Sequence, residues 1–104
     1  MRISTSRNDG ATTVRVHSAR LDAAVADELR SGLQAALGEN DEQTVIDLAE
    51  VTFIDSSGLG ALIASLKSAK SKDIAISNAQ PSVRTVLRMT RVDRSIRVLP
   101  SNAP

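Results

Sequence analysis

The sequence contains no cysteine, tryptophan or tyrosine, and its single aromatic residue is Phe53. The absence of cysteine excludes a disulfide scaffold, thiol catalysis and a cysteine-ligated metal site. A single histidine, His17, argues against a histidine-built zinc site. One aromatic residue argues against the stacking surfaces that bind single-stranded nucleic acid. We therefore expect no metal, no cofactor and no nucleic-acid partner.

Long apolar runs are also missing. No run approaches the roughly 20 residues that cross a bilayer, and the N-terminus lacks the pattern of a signal peptide. We therefore expect a cytoplasmic protein without a membrane partner. The 104 residues, 41% of them hydrophobic, suffice for one domain with one core. We expect this domain to span residues 1–100, with 101–104 as a frayed tail.

Charge is unevenly distributed along the chain, although the formal net charge is only +1. Residues 21–60 carry nine acidic side chains and one arginine, whereas residues 1–20 and 61–104 have net charges of +3 and +6. This pattern is compatible with an electrostatic surface that faces a partner, and equally with solvated faces that happen to group together. Composition leaves both interpretations open.

Two N-terminal strands joined by a tight turn are predicted. Residues 12–17 alternate between valine on one face and the polar Arg15 and His17 on the other, which is typical of a half-exposed strand. The turn Asn8-Asp9-Gly10 contains the Asp-Gly pair that hairpins favour. Residues 3–7, before the turn, form the partner strand of this predicted hairpin.

Three later segments show helical spacing. The first begins at Asp22, a good N-cap, and ends at Gly38, a good C-cap. The second follows Asp55-Ser56-Ser57-Gly58, and the third has Pro81 in its first turn. The inward-facing residues are Val25, Leu29, Leu33, Ala36 and Leu37 in the first, Leu59, Leu62, Ile63 and Leu66 in the second, and Val83, Val86 and Leu87 in the third.

Further strands are predicted at residues 44–48, 73–77 and 96–99, so the element order is ββαβαβαβ. Strands that alternate with helices of this length predict an α/β fold. We expect a single domain with a mixed β-sheet and helices packed on it.

The helix start at Asp55-Ser56-Ser57-Gly58, which we call the serine element, is the segment with the clearest chemistry. Phe53 and the residue after it are expected to anchor the chain, and either Asp55 or Ser56 caps the helix. The free N–H groups and positive dipole of a helix N-terminus tolerate a phosphate. Phosphorylation of Ser56 would add about −1.5 to −2 charges beside Asp55. Simple capping without any modification explains the same residue types.

Alternative catalytic motifs do not fit the sequence. Ala61 stands where a P-loop requires lysine, and Ile54 and Asp55 stand where the nucleophile elbow requires glycine. A Ser-His-Asp triad would have to use His17, which lies mid-strand on the polar face and is expected to be a surface residue. A receiver domain, in which an aspartate is phosphorylated, needs further carboxylates after its first strand to bind magnesium. Here only Asp9 is present, and it lies in a turn. Since no nucleophile has a base within evident reach, we do not expect an enzyme.

The block VIDLAEVTFIDSSGLGALI, residues 45–63, resembles the signature of the STAS domain of bacterial anti-sigma factor antagonists. Residues 18–22 stand in the place of that family's segment before the first helix, and residues 78–83, then Leu87 and Val92, follow the pattern that ends these domains. Arg20 departs from the usual glutamate and changes the charge of a loop expected near the binding face.

The resemblance implies a regulatory switch on a STAS-like fold. In that family an anti-sigma factor with serine kinase activity phosphorylates the first serine of the element, here Ser56, and a phosphoserine phosphatase reverses the reaction. The unmodified protein binds the anti-sigma factor and thereby releases a sigma factor. The implied partner-binding residues are Asp22, Asp55, Ser56, Ser57, Gly58 and Leu59. The alternative is a STAS scaffold or interaction subunit of a stress-sensing or transport assembly.

Overall fold

A computed structural model describes residues 1–37, 43–67, 73–94 and 96–100. In chain order, the elements are β1 (Arg2–Asn8), β2 (Ala11–His17), β3 (Arg20–Leu21), α1 (Ala26–Leu37), β4 (Gln43–Asp47), β5 (Phe53–Ile54), α2 (Ser56–Lys67), β6 (Ile74–Ser77), α3 (Pro81–Met89), a 3₁₀ turn (Val92–Arg94) and β7 (Arg97–Val98). The predicted frayed tail at 101–104 and the predicted C-cap at Gly38 lie outside the described residues.

The main sheet has five strands in the order β1-β2-β4-β6-β7. β1 pairs with β2 in the antiparallel direction, and the other neighbours are parallel, so the expected mixed sheet is confirmed. The β1–β2 turn is formed by Asp9 and Gly10, whose φ angles of 51° and 79° are both positive, as a type I′ hairpin turn requires. The predicted hairpin is therefore also confirmed.

The two faces of the main sheet differ in polarity. Alternation along β2 and β4 places Val14, Val16 and Ile46 on one face, where they are fully buried in a core cluster with leucines of all three helices. Arg15 and Asp47 lie on the opposite face, which we call the open face. Alternating valine and isoleucine residues thus bury one side of the sheet under the helices.

The prediction that the first helix begins at Asp22 is wrong, because α1 begins at Ala26. Asp22 instead closes a turn: its carboxylate accepts the Ala24 N–H at 3.1 Å, and its carbonyl accepts the Val25 N–H at 3.1 Å. The Val25 carbonyl accepts the first helical hydrogen bond, from Leu29 N–H at 2.8 Å. A turn precedes the helix because the chain first has to leave strand β3.

Strands β3 and β5 were not predicted. They pair in parallel, Arg20 with Phe53 and Leu21 with Ile54, as a separate two-stranded sheet. Strands of two residues are too short to produce a detectable alternation in the sequence. Their pairing is nevertheless important, since it places the start of α2 beside residues 19–22.

Candidate functional site

The N-terminus of α2 is capped by Asp55. Its carboxylate Oδ1 accepts the Gly58 N–H at 2.9 Å, and its carbonyl accepts the Leu59 N–H at 2.9 Å. Of the two caps that the sequence left open, the structure therefore selects Asp55. Ser56 is the first residue of the helix and is exposed. Within the described part of the chain its hydroxyl has no hydrogen-bond partner, so this oxygen is available to solvent or to another molecule.

Gly58 allows α2 to begin directly against strand β3. A Cβ atom at position 58 would overlap the backbone carbonyl of Leu21, which cannot move away as a flexible side chain would. At position 60, two residues later, no atom of the described residues lies within 4 Å of the corresponding Cβ position. Gly58 is therefore required by packing at the site, whereas Gly60 is not.

Backbone hydrogen bonds hold the segment before α2 in place. The Ala19 carbonyl accepts the N–H groups of Thr52 and Phe53 at 2.8 and 3.1 Å. The Leu21 carbonyl accepts the Asp55 N–H at 3.1 Å. Because Leu21 is fully buried, these bonds anchor the serine element to the core.

Helix α3 supports the same segment from its other side. The Ser82 hydroxyl donates to the Thr52 carbonyl at 2.9 Å, and the Gln80 side-chain amide donates to the Ala49 carbonyl at 2.8 Å. Residues 49–55 are thus tied both to β3 and to the start of α3, and such preorganisation lowers the cost of ordering a binding surface.

An exposed aromatic residue lies beside the serine element. Phe53 is 40% exposed, and the Arg20 guanidinium lies 4.3 Å from the centroid of its ring, within the range of a cation–π contact. Arg20 Nε also donates to Asp22 Oδ2 at 3.3 Å. The expectation that Phe53 anchors the chain is wrong, and only its neighbour Ile54 is buried. A lone aromatic residue next to a motif was the signal that sequence reasoning missed.

The six predicted partner-binding residues gather around the β3–β5 pair. Ser56 and Ser57 are exposed, and Asp22 and Asp55 are half-buried. Gly58 and Leu59 are buried, so their place is beneath the surface that the serines present. Partner contact at these residues stays a prediction, and the four with exposed or half-buried side chains are the ones positioned to make it directly.

A charged pair joins β2 to β4 on the open face. Arg15 donates to Asp47 Oδ2 from Nη2 at 2.7 Å and from Nε at 3.1 Å, and the Asp47 side chain is only 5% exposed. Burial alone raises the pKa of Asp47, but hydrogen bonds from Arg15, Ala49 N–H and Asn78 outweigh it and hold that pKa below its ordinary value. The pair was not predicted because its partners are 32 residues apart in sequence.

Over the described ranges, no group of three or more histidine, cysteine, aspartate or glutamate side chains is placed to hold a metal ion. In the same ranges, no helix has both the length and the apolar character needed to cross a membrane.

A family model described as the STAS domain matches residues 2–103. This chain belongs to the STAS domain family. The match covers every described element, so the expected family and its α/β fold are confirmed together.

Solved structures share the STAS fold. An anti-sigma factor antagonist from Mycobacterium paratuberculosis is 24% identical, with a TM-score of 0.82, over 97% of this chain and 86% of that one. The Bacillus cell fate determinant SpoIIAA in its phosphorylated form is 15% identical, with a TM-score of 0.64, over 95% and 92%. The murine Slc26a9 anion transporter is 22% identical, with a TM-score of 0.73, over 92% of this chain but only 17% of that one.

Proposed function

We propose that this STAS domain is an anti-sigma factor antagonist controlled by phosphorylation of Ser56. The unmodified chain binds an anti-sigma factor that is also an ATP-dependent serine kinase, and so releases a sigma factor for transcription. The kinase phosphorylates Ser56 and ends the complex, and a phosphoserine phosphatase restores the binding form. In this proposal the chain is a cytoplasmic binding protein and not itself an enzyme.

The observation that carries this proposal is the exposed hydroxyl of Ser56 at the first position of α2, which has no hydrogen-bond partner among the described residues. A kinase has to reach the oxygen without unfolding its substrate, and an exposed helix start meets that requirement. The likeness to a protein named an anti-sigma factor antagonist, and to one known in a phosphorylated form, supports the same role.

The direction of the switch follows from the charge that phosphorylation adds. A phosphate on Ser56 brings about −1.5 to −2 charges to a surface that already carries Asp22 and Asp55. A partner bound at this surface would have to remove water from the phosphate. It would also have to hold the phosphate near the carboxylates of Asp22 and Asp55, which repel it. Each tenfold loss of affinity corresponds to only about 1.4 kcal/mol, so modest repulsion suffices to release the partner.

The first test maps the modification. The chain is incubated with ATP and the anti-sigma factor kinase of its source organism, and the phosphate is located by mass spectrometry. We expect phosphate on Ser56 and its loss in the Ser56→Ala variant. Ser57→Ala is the matched control, since Ser57 is the adjacent exposed serine, and it should still be phosphorylated. Phosphate on Ser57 alone would refute the assignment.

The second test measures binding to the same anti-sigma factor. Ser56→Ala should stay bound whether or not ATP is supplied, because it cannot accept a phosphate. Ser56→Asp should bind at least tenfold more weakly, since it places a permanent charge at the contact surface. Equal affinities for the two variants, measured by calorimetry, would contradict the charge argument.

A role as an interaction module of a transport assembly is the second candidate. The fold likeness to part of an anion transporter favours it. It predicts stable association with a larger membrane protein and no dependence of that association on ATP. ATP-dependent release from a small soluble kinase would exclude it in favour of the switch.

A further inference from the structure

Ser4, His17 and Glu50 form a hydrogen-bonded chain on the open face of the main sheet. Ser4 Oγ lies 2.7 Å from His17 Nε2, and His17 Nδ1 lies 2.6 Å from Glu50 Oε2. The three residues come from β1, from β2 and from the segment after β4, so only the fold brings them together. The expectation that no nucleophile has a base within reach is therefore wrong for Ser4.

The imidazole is the best-enclosed member of this chain. The His17 side chain is 17% exposed, Glu50 is 47% exposed and Ser4 is an exposed residue. A carboxylate can only accept, so in the neutral form of the ring we expect the one N–H at Nδ1, toward Glu50, and the lone pair of Nε2 toward the Ser4 hydroxyl. This is the order of nucleophile, base and orienting carboxylate by which an activated serine is recognised.

We propose that Ser4 is a base-activated hydroxyl that takes up an acyl group from activated donors, such as aryl esters and acyl phosphates. His17 accepts the Ser4 proton at Nε2 as Ser4 Oγ bonds to the acyl carbon. The donor's C–O bond breaks, its electron pair leaves on the phenolate or phosphate oxygen, and that group takes the proton from His17. Glu50 is a positioning residue, and the product is one acyl group on Ser4 per chain.

Labelling with p-nitrophenyl acetate, followed by mass spectrometry of each serine, tests the proposal directly. Ser6 is the matched control, because it is an exposed serine on the same strand and face, paired with Thr13 and without a neighbouring imidazole. General-base assistance contributes about 10²–10⁴-fold in rate, so Ser4 should react at least ~100-fold faster than Ser6. His17→Ala should reduce Ser4 to the rate of Ser6. Equal rates for the two serines in the wild type would overturn the proposal.

The absence of cysteine from the chain allows a second, more sensitive comparison. Ser4→Cys and Ser6→Cys each introduce a single thiol, whose ordinary pKa is about 8.5. An adjacent imidazole favours the thiolate, so Ser4→Cys should be alkylated by iodoacetamide at pH 7 about tenfold faster than Ser6→Cys. Adding His17→Ala should abolish the difference. If Ser4→Cys and Ser6→Cys are alkylated at the same rate while His17 is present, His17 does not act as a base for position 4.

The positioning role of Glu50 has a spectroscopic readout. His17 is the only histidine in the sequence, so its two ¹⁵N imidazole signals are assigned without ambiguity. At a pH where the imidazole is neutral, we expect the Nδ1–H tautomer in the wild type. In Glu50→Ala we expect a shift toward the Nε2–H tautomer and slower labelling of Ser4. An unchanged tautomer and an unchanged rate in Glu50→Ala would remove Glu50 from the proposal.

Discussion

At the scale of single residues, the two glycines at the start of α2 illustrate how identical residues have different tasks. Gly58 is buried against the Leu21 carbonyl, whereas Gly60 is exposed and its Cβ position has no neighbour among the described residues. The sequence DSSGLG of residues 55–60 does not by itself distinguish the two glycines. Only the position of β3 decides which glycine is required.

We predict opposite effects for alanine at these two positions. Gly58→Ala should lower the free energy of unfolding by about 1–3 kcal/mol, because the new Cβ forces the helix away from β3. Gly60→Ala should raise it by about 0.5–1 kcal/mol, since alanine is the better helix former and meets no neighbour. Urea denaturation measures both, and a stabilising Gly58→Ala would show that the close approach to Leu21 is not maintained in solution.

At the scale of elements, the Arg15–Asp47 pair gives the contact between β2 and β4 a pH dependence. The pKa of Asp47 is lowered in the folded chain relative to its ordinary value of 3.8. Its contribution to stability is therefore fully present above pH 3.8 and is lost as the pH falls through the lower folded value. The ion pair thus stabilises the sheet at neutral pH and fails in acid.

Comparison of the wild type with Asp47→Asn tests this dependence. The variant has no titrating group at position 47, so the difference in unfolding free energy between the two proteins should shrink as the pH falls from 5 to 2. Guanidinium titrations at each pH give the measurement. A difference that stays constant over this range would show that Asp47 has the same affinity for protons folded and unfolded.

At the scale of the whole molecule, the proposed switch changes a surface and leaves the fold intact. Ser56 is exposed and its hydroxyl makes no hydrogen bond within the described residues. A negative charge at the first position of α2 also interacts favourably with the helix dipole, by about 0.3–1 kcal/mol. Loss of binding should therefore occur without loss of structure.

The Ser56→Asp variant makes this separation measurable. Its melting temperature should equal or slightly exceed that of the wild type, and its NMR chemical shifts should change only near the start of α2. A lower melting temperature or shifts throughout the core would mean that weaker partner binding results from unfolding and not from surface charge.

Local pattern alone predicted three helices, the β1–β2 hairpin and the buried faces, although not that α1 begins only at Ala26. Valine alternation, leucines at helical spacing and the Asp9-Gly10 turn act over a few residues and need no distant partner. The serine element was equally recognisable in the sequence, because its characteristic residues are contiguous.

Tertiary structure decided everything that depends on residues far apart in sequence. The β3–β5 pair, the need for Gly58 and the contacts joining Arg15 to Asp47 and His17 to Glu50 each bring together segments about 30 or more residues apart. The hydrophobic periodicity of the sequence does not indicate such contacts, because they form only when distant segments pack together around the core. Contiguous residue types therefore mark Ser56 as a helix start, whereas position in space decides that Ser4 has a base beside it.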